Sequence, residues 1–294
     1  MKIALYGQYY QNSTEPIIKD IFVFFNKNKV KLVVEAAFLK MLYEKNLITK
    51  EYDTFQSHKE LDSSFDMLIS IGGDGTILSA ATLVRGSGIP ILGINAGRLG
   101  FLATVQKENI EEFLQTVIDK KYTITPRTLL SLKCTPKNAA FEDINFAMNE
   151  ITVNRKDTAS MITIETSLNG EYLNSYWADG LIISTPTGST GYSMSCGGPV
   201  LTPDVKSLVI TPIAPHNLNA RPLVIPDKTE IQLKVSGREE HYLVSLDSRI
   251  AAIKKESVLT IKKTPFKINM VEIPKETFLK TLRNKLLWGE DKRN

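Results

Sequence analysis

The chain has 294 residues, 43% of them hydrophobic and 23% charged, an ordinary globular composition with room for one large core or two modest ones. Its 36 Lys and Arg stand against 32 Asp and Glu, a net charge of +4, too small and too scattered an excess to point to a nucleic-acid partner. Two distant cysteines, Cys134 and Cys196, and three histidines, His58, His216 and His241, lack the spacing of a disulfide framework or a zinc cage. The N-terminal apolar stretch is too short for a signal peptide and no run of 18 apolar residues occurs, so the expectation is a cytoplasmic chain with no membrane contact.

In chain order, residues 2–6 read as a buried strand that stops at Gly7. Residues 16–26 read as a helix with Thr14 as N-cap and Pro16 in its first turn. Residues 30–34 suggest a strand and 35–45 a helix, and Ser57 with Glu60 fits a capping box on a short helix. Residues 65–71 and 89–94 are continuous apolar runs of strand length, the pattern of strands covered on both faces. Residues 108–120 place Ile110, Phe113, Leu114, Val117 and Ile118 on one helical face. Strands alternating with helices imply a parallel sheet.

From about Leu129 the period changes. Leu130, Leu132 and Cys134 alternate with polar residues, and 145–153 is strand-like. Residues 161–168 and 171–177 flank Asn169 and Gly170, a type I′ hairpin signal. Further short strands are expected at 206–213, 230–235, 241–246 and 257–261, giving an antiparallel sandwich. Residues 275–287 return to helix with Phe278, Leu279, Leu282 and Leu286 on one side, an apolar face that needs the helical layer of the first half. The expected division is an α/β domain at 1–128, completed by 275–294, and an all-β sandwich at 129–274.

Gly72, Gly73, Asp74, Gly75 and Thr76 lie between a buried strand and a helical pattern. Glycines let a backbone turn sharply and approach a ligand, and the helix start directs N–H groups and a positive dipole end at the turn. Asp74, a carboxylate where anions would bind, fits a base or orienter for a hydroxyl nucleophile, or a partner of Mg²⁺; alternatively it caps the helix. The loop is neither a Walker A nor a G-x-G-x-x-G fingerprint. A second cluster runs from Asp179 and Gly180 through an apolar strand into Thr185, Pro186, Thr187, Gly188, Ser189, Thr190, Gly191, Tyr192, Ser193, Met194 and Ser195. Its hydroxyls and amides could bond a base, ribose or phosphate, and Tyr192 offers a flat face; alternatively the loop satisfies its own backbone. Asn149 and Glu150 adjoin in a strand-like run, where neighbouring residues face opposite ways.

Taken together, the Gly72-to-Thr76 turn, the Asn149–Glu150 pair, and Asp179 and Gly180 followed by the Thr185-to-Tyr192 loop resemble the NAD kinase family in order and spacing. So do the run from Asn95 through Gly97, Arg98, Leu99, Gly100 and Phe101 to Leu102, the run from Ala220 to Ile225, Asp247 with Ser248, and Thr281 to Trp288 near the C-terminus, which looks like bacterial members. The likeness covers residues 65–288. The G-G-D-G element alone is unspecific, since diacylglycerol-type lipid kinases and phosphofructokinases carry similar loops.

The resemblance implies a Rossmann-like α/β domain beside the sandwich. It implies transfer of the γ-phosphoryl of ATP to the 2′-hydroxyl of the adenosine ribose of NAD, with a divalent cation, Mg²⁺ or Mn²⁺, held mainly by nucleotide phosphates. Asp74 would accept the hydroxyl proton, and Gly72, Gly73 and Gly75 would lie against the nucleotide, with Phe101 packed on a base. Asn149 and Glu150 would hold the adenosine and its ribose, Asp179 the nicotinamide end, and Thr187, Thr190, Gly191, Tyr192, Ser193, Met194 and Ser195 the nucleotide pocket. A homodimer or homotetramer is expected. The chain departs from the family at Gly191, usually alanine, at Trp177 and Ser160, often basic or imidazole, and at Arg249, commonly glutamine. Two other readings stay open: a lipid or small-metabolite kinase sharing the G-G-D-G loop, and a non-catalytic NAD sensor.

Overall fold

A computed structural model describes residues 1–8, 14–97, 100–103, 105, 110–156, 160–217, 219–274 and 276–287. Expectations for Arg98, Leu99, Glu108, Lys275 and Trp288 fall outside these. The chain opens with β1 (Lys2–Gly7), α1 (Thr14–Lys27), β2 (Lys31–Glu35), α2 (Ala36–Glu44), β3 (Asp53–Phe55), β4 (Met67–Gly72), α3 (Asp74–Val84), β5 (Ile91–Asn95), α4 (Ile110–Ile118) and β6 (Thr123–Arg127). Next come β7 (Leu130–Thr135), β8 (Phe146–Ala147), β9 (Glu150–Asn154), β10 (Ile162–Leu168), β11 (Glu171–Ala178), β12 (Gly180–Ser184) and α5 (Tyr192–Ser195). They are followed by β13 (Ser207–Ile213), β14 (Leu223–Pro226), β15 (Ile231–Ser236), β16 (His241–Leu246), β17 (Arg249–Lys254) and β18 (Val258–Lys263). The chain ends on β19 (Ile268–Glu272) and α6 (Phe278–Leu286). It divides into two compact units, Met1–Pro126 with Ile268–Asn294, and Arg127–Lys267.

The first unit carries a seven-stranded sheet in the order β3-β2-β1-β4-β5-β19-β6. The pairings from β3 to β19 are parallel. β4 and β5 are buried at every position, as their unbroken apolar runs foretold. The chain moves outward one way from β1 and the other way from β4, so the switch point of the sheet lies between the C-terminal ends of these two strands, where open α/β sheets bind ligands. Helix α1 is three residues longer than expected, and Thr14, fully buried, is its first residue rather than the cap before it. Glu35 caps α2, its Oε2 accepting from the Phe38 N–H at 2.7 Å, and Glu60 reaches back to the Ser57 N–H at 3.1 Å in the expected capping box.

The second unit is a sandwich of two six-stranded sheets, β11-β10-β15-β18-β7-β8 and β14-β13-β12-β9-β16-β17, closing on one apolar core that draws Leu132, Ile164 and Leu233 from the first and Val153, Ile183 and Val244 from the second. The hairpin at Asn169 and Gly170 forms with φ of 52° and 84°, the double positive φ of a type I′ turn. The 145–153 run is not one strand. β8 ends at Ala147 and β9 begins at Glu150, because Asp247 captures the amides between them.

One boundary moves. Residues 268–272, expected in the sandwich, form β19 and pair with β5 of the first sheet. Helix α6 does belong to the first unit, but only part of its expected face is covered: Thr281 and Leu282 are buried, while Leu279 and Leu286 are exposed. Among the described residues no helix is long and apolar enough to cross a membrane. Ending the chain after Pro274 removes the buried Leu282 contact, and the melting temperature should fall by roughly 5–10 °C. Unchanged melting in calorimetry would make α6 an accessory.

Candidate active site

The site of the first unit grows out of the end of β4. Gly72 turns the chain with φ of +154°, and a Cβ there would stand 2.2 Å from the Thr76 Oγ1. The Thr76 hydroxyl donates to Gln8 Oε1 at 3.2 Å, tying the residue after β1 to the first turn of α3. Gly73 and Gly75 have open space where a Cβ would be, so their backbone is approachable. Asp74 opens α3. Its carboxylate does not cap that helix. Oδ2 accepts the Phe101 N–H at 2.8 Å, and Oδ1 accepts those of Leu102 and Ala103 at 3.0 and 3.1 Å. This close approach needs Gly100, where a Cβ would lie 1.9 Å from Asp74 Oδ1. The glycine in the Asn95-to-Leu102 run therefore has a stated purpose that its presence in the sequence did not reveal.

In the second unit the analogous device is Asp247, in the turn between β16 and β17 with φ of 53°, a conformation Asp tolerates well. Its carboxyl accepts the backbone N–H groups of Met148, Asn149 and Glu150 at 2.9, 2.8 and 3.2 Å. Its own N–H donates to Glu150 O at 3.0 Å. Arg249 stands 3.9 Å from the same carboxyl and donates to the carbonyls of Ile144, at 3.0 Å, and Phe146. The arginine that departs from the family pattern is thus a clamp on this bend. Gly188 presses on the other side, where a Cβ would stand 2.1 Å from Asn149 O.

The bend presents Asn149 and Glu150. Glu150 is 9% exposed, and neither its Oε2 nor Asn149 Oδ1, both buried, has a hydrogen-bond partner. Burial first, then the nearby Asp247, push the Glu150 carboxyl up to about 8, while the Tyr192 backbone N–H pulls it down. Burial likewise raises the Asp247 carboxyl, against the amides of Met148 and Asn149, Arg249, and the Glu150 amide. Two orphaned oxygens on consecutive residues are what a polar ligand would satisfy. Gly191 borders the Glu150 carboxyl: a Cβ there would contact Glu150 Oε2 at 3.1 Å and Gly188 O at 3.2 Å. The missing methyl of this departure leaves that space open.

The hydroxyl-rich loop is mostly occupied with itself. Thr185 Oγ1 donates to Met148 O at 2.6 Å, Ser189 Oγ to Pro186 O at 2.7 Å and Thr190 Oγ1 to Thr187 O at 3.2 Å. Ser193, expected in the pocket, turns its hydroxyl inward onto Thr211 at 2.8 Å, and Thr187 is 7% exposed. Thr190, Gly191 and Met194 are half-buried, and Tyr192 and Ser195 are exposed, so the hydroxyls shape the loop more than they line it. Asp179 is half-buried and pairs with Arg155 at 2.9 Å. Trp177 lies 4.3 Å from the His216 ring, a pairing that no sequence pattern announced.

An open glycine turn with an oriented carboxylate, on a doubly wound sheet and followed by a β-sandwich, suits a phosphotransferase. Residues 8–122 match the ATP-NAD kinase N-terminal domain and residues 148–273 the ATP-NAD kinase C-terminal domain. An NAD kinase of Flavobacterium psychrophilum is 76% identical over 294 residues, the whole of both chains. The fold is shared with yeast NADH kinase complexed with NADH, at a TM-score of 0.87 and 21% identity over 99% of this chain and 88% of that one. An NAD kinase from Archaeoglobus fulgidus in complex with ATP aligns at a TM-score of 0.72 and 26% identity over 97% of each chain. The chain belongs to the NAD kinase family and is an enzyme.

The raised Glu150 pKa has a stability consequence. An acid whose pKa is higher folded than unfolded stabilises fully below the unfolded value and loses that contribution as pH rises through the folded one, here across roughly pH 4.5 to about 8. Asp247, shifted the same way, acts in both proteins compared. Wild-type melting temperature should therefore fall more between about pH 5 and pH 8 than that of Glu150→Gln. Equal falls would remove Glu150 from the account.

Proposed function

We propose that this enzyme transfers the γ-phosphoryl of ATP to the 2′-hydroxyl of the adenosine ribose of NAD, giving NADP and ADP. The observation that carries the mechanism is the Asp74 carboxylate, fixed by three loop amides at the head of α3. A secondary hydroxyl is a poor nucleophile at neutral pH, so Asp74 orients it and takes its proton as the bond from O2′ to phosphorus forms and the bond to ADP breaks. Gly72, Gly73 and Gly75 give phosphate oxygens close access to backbone N–H groups at the helix start. Phe101 lies on the loop that holds Asp74, and we assign it a packing role against a base.

In the second unit, Asn149 and Glu150 hold the adenosine and its ribose. What supports this is their pair of unpartnered buried oxygens. Tyr192 stacks, and Thr187, Thr190, Gly191, Ser193, Met194 and Ser195 build the loop around it. Asp179, braced by Arg155, serves the nicotinamide end. A lipid acceptor would have no use for two orphaned groups of this kind, and a sensor would have no use for a fixed carboxylate.

The donor requires Mg²⁺ or Mn²⁺. Among the described residues no cluster of three or more His, Cys, Asp or Glu side chains could hold an ion, and the open backbone at Gly73 and Gly75 suits a metal carried on the phosphates themselves. When bound there, the ion neutralises charge on the transferring group. Two free cysteines, Cys134 and Cys196, fit a reducing, cytoplasmic setting. Leu223 and Val224 on edge strand β14 and Ile250 on edge strand β17 are exposed and apolar, which supports a homodimer or homotetramer.

Purified enzyme with NAD, ATP and Mg²⁺ should form NADP, and Asp74→Asn should lower kcat by about two to four powers of ten while NAD binding survives. Asparagine keeps the shape but cannot take the proton. Wild-type turnover in the variant would reduce Asp74 to a loop anchor, and phosphorylation of lipid without NADP would end the NAD kinase reading.

A further inference from the structure

The C-terminal stretch that closes the family likeness has no part in the chemistry above, yet the helix that carries it touches the loop holding Asp74. Phe278, the first residue of α6, places its ring 6.3 Å from that of Phe101, tilted by 40°. Lys285 follows two turns later on the same face, its Nζ 5.0 Å from the centroid of the same Phe101 ring. Both therefore hold one side chain. The backbone N–H of that residue is the donor to Asp74 Oδ2 at 2.8 Å, with Leu102 and Ala103 on Oδ1. The helix itself is well founded: Thr277 caps it by accepting the Lys280 N–H at 3.2 Å, and Thr281 and Leu282 are buried.

A carboxylate offers about four lone-pair sites. Among the described residues two loop amides take those of Oδ1 and one takes a site on Oδ2, which leaves a single Oδ2 lone pair for a hydroxyl. Its direction follows the Phe101 amide. If Phe101 shifts, that donor leaves and the carboxylate can rotate about its bond to the chain. We propose that Phe278 and Lys285 are positioning residues for phosphoryl transfer, clamping Phe101 so that the remaining Oδ2 lone pair of Asp74 points at the acceptor hydroxyl. The proposal rests on Asp74 as the proton acceptor. It assigns the motif a catalytic consequence without contact to either nucleotide.

The test uses full-length Lys285→Met, Lys285→Arg, Phe278→Ala and, as a control on the exposed side of the same helix, Leu279→Ala. Each is made in the wild-type and the Asp74→Asn backgrounds, with kcat, KM and melting temperature recorded. Lys285→Met should lower kcat about two- to five-fold, the weight of a cation over an aromatic face at an exposed site. Phe278→Ala should lower it roughly ten-fold. KM for ATP should not change, Lys285→Arg should restore kcat because guanidinium also sits well over a ring, and Leu279→Ala should match wild type. In the Asp74→Asn background neither substitution should lower kcat further, since the lone pair they aim is no longer a base.

Lys285 is exposed, so Lys285→Met and Lys285→Arg decide the matter even if Phe278→Ala is poorly folded. Wild-type kcat in Lys285→Met, or an equal fold-loss with and without Asp74→Asn, overturns the proposal and leaves NAD phosphorylation standing. Absence of NADP formation by the wild type overturns that reading and this one with it.

Discussion

The arrangement of the first unit depends on one interaction, a carboxylate held by three consecutive backbone amides. Asp74 can face the 100–103 loop because β4 ends in Gly72 and the loop passes Gly100, where any side chain would collide with it. Those amides fix the rotamer of a short side chain that would otherwise swing freely. They also link the end of β4, the 101–103 segment and α6 into one connected piece. If Asp74 is the base, as proposed, one aligned in this way costs little ordering when substrate arrives, which is where a reaction with a loose transition state gains most.

The second unit repeats the device on a different scaffold. Asp247 binds the amides of Met148, Asn149 and Glu150, and the bend it creates stops β8 short of β9. The cost is a carboxyl buried beside another one, and it shows in the raised pKa of Glu150. Arg249 offsets part of that cost from the Asp247 side. Each unit thus uses an aspartate to hold three consecutive amides in an irregular segment. In one the aspartate is the proposed proton acceptor; in the other it presents its neighbours.

Much of the fold was legible because burial imposes a period. β4 and β5 read as unbroken apolar runs since helices cover both faces, and the Asn169–Gly170 hairpin read from a dipeptide that readily takes its two positive φ angles. The short edge pieces did not read: β3 has three residues, β14 is an edge strand exposed at three of its four positions, and β17 is an edge strand with one buried residue. Residues 268–272 fall inside the range expected for the sandwich, and nothing local in them says that their partner is β5 of the first sheet. At the site, Gly72, Asp74, Asn149 and Glu150 stood out by residue type. The hydroxyl-rich loop reads two ways, because Ser and Thr bond their own backbone as readily as a ligand: Ser189 and Thr190 do so, and Ser193 meets the Thr211 hydroxyl. Gly100, Asp247, Phe278 and Lys285 depend on contacts between residues far apart in the chain, which spacing alone does not encode.

The central claim is geometric, and a structure with ligands tests it most directly. Crystals of the wild-type enzyme with NAD, Mg²⁺ and a non-hydrolysable ATP analogue should show the ribose O2′ within about 2.6–3.2 Å of Asp74 Oδ2. The Phe101, Leu102 and Ala103 amides should still be on the carboxylate. A 2′-hydroxyl bonded elsewhere, with Asp74 engaged only by the loop, would contradict the account.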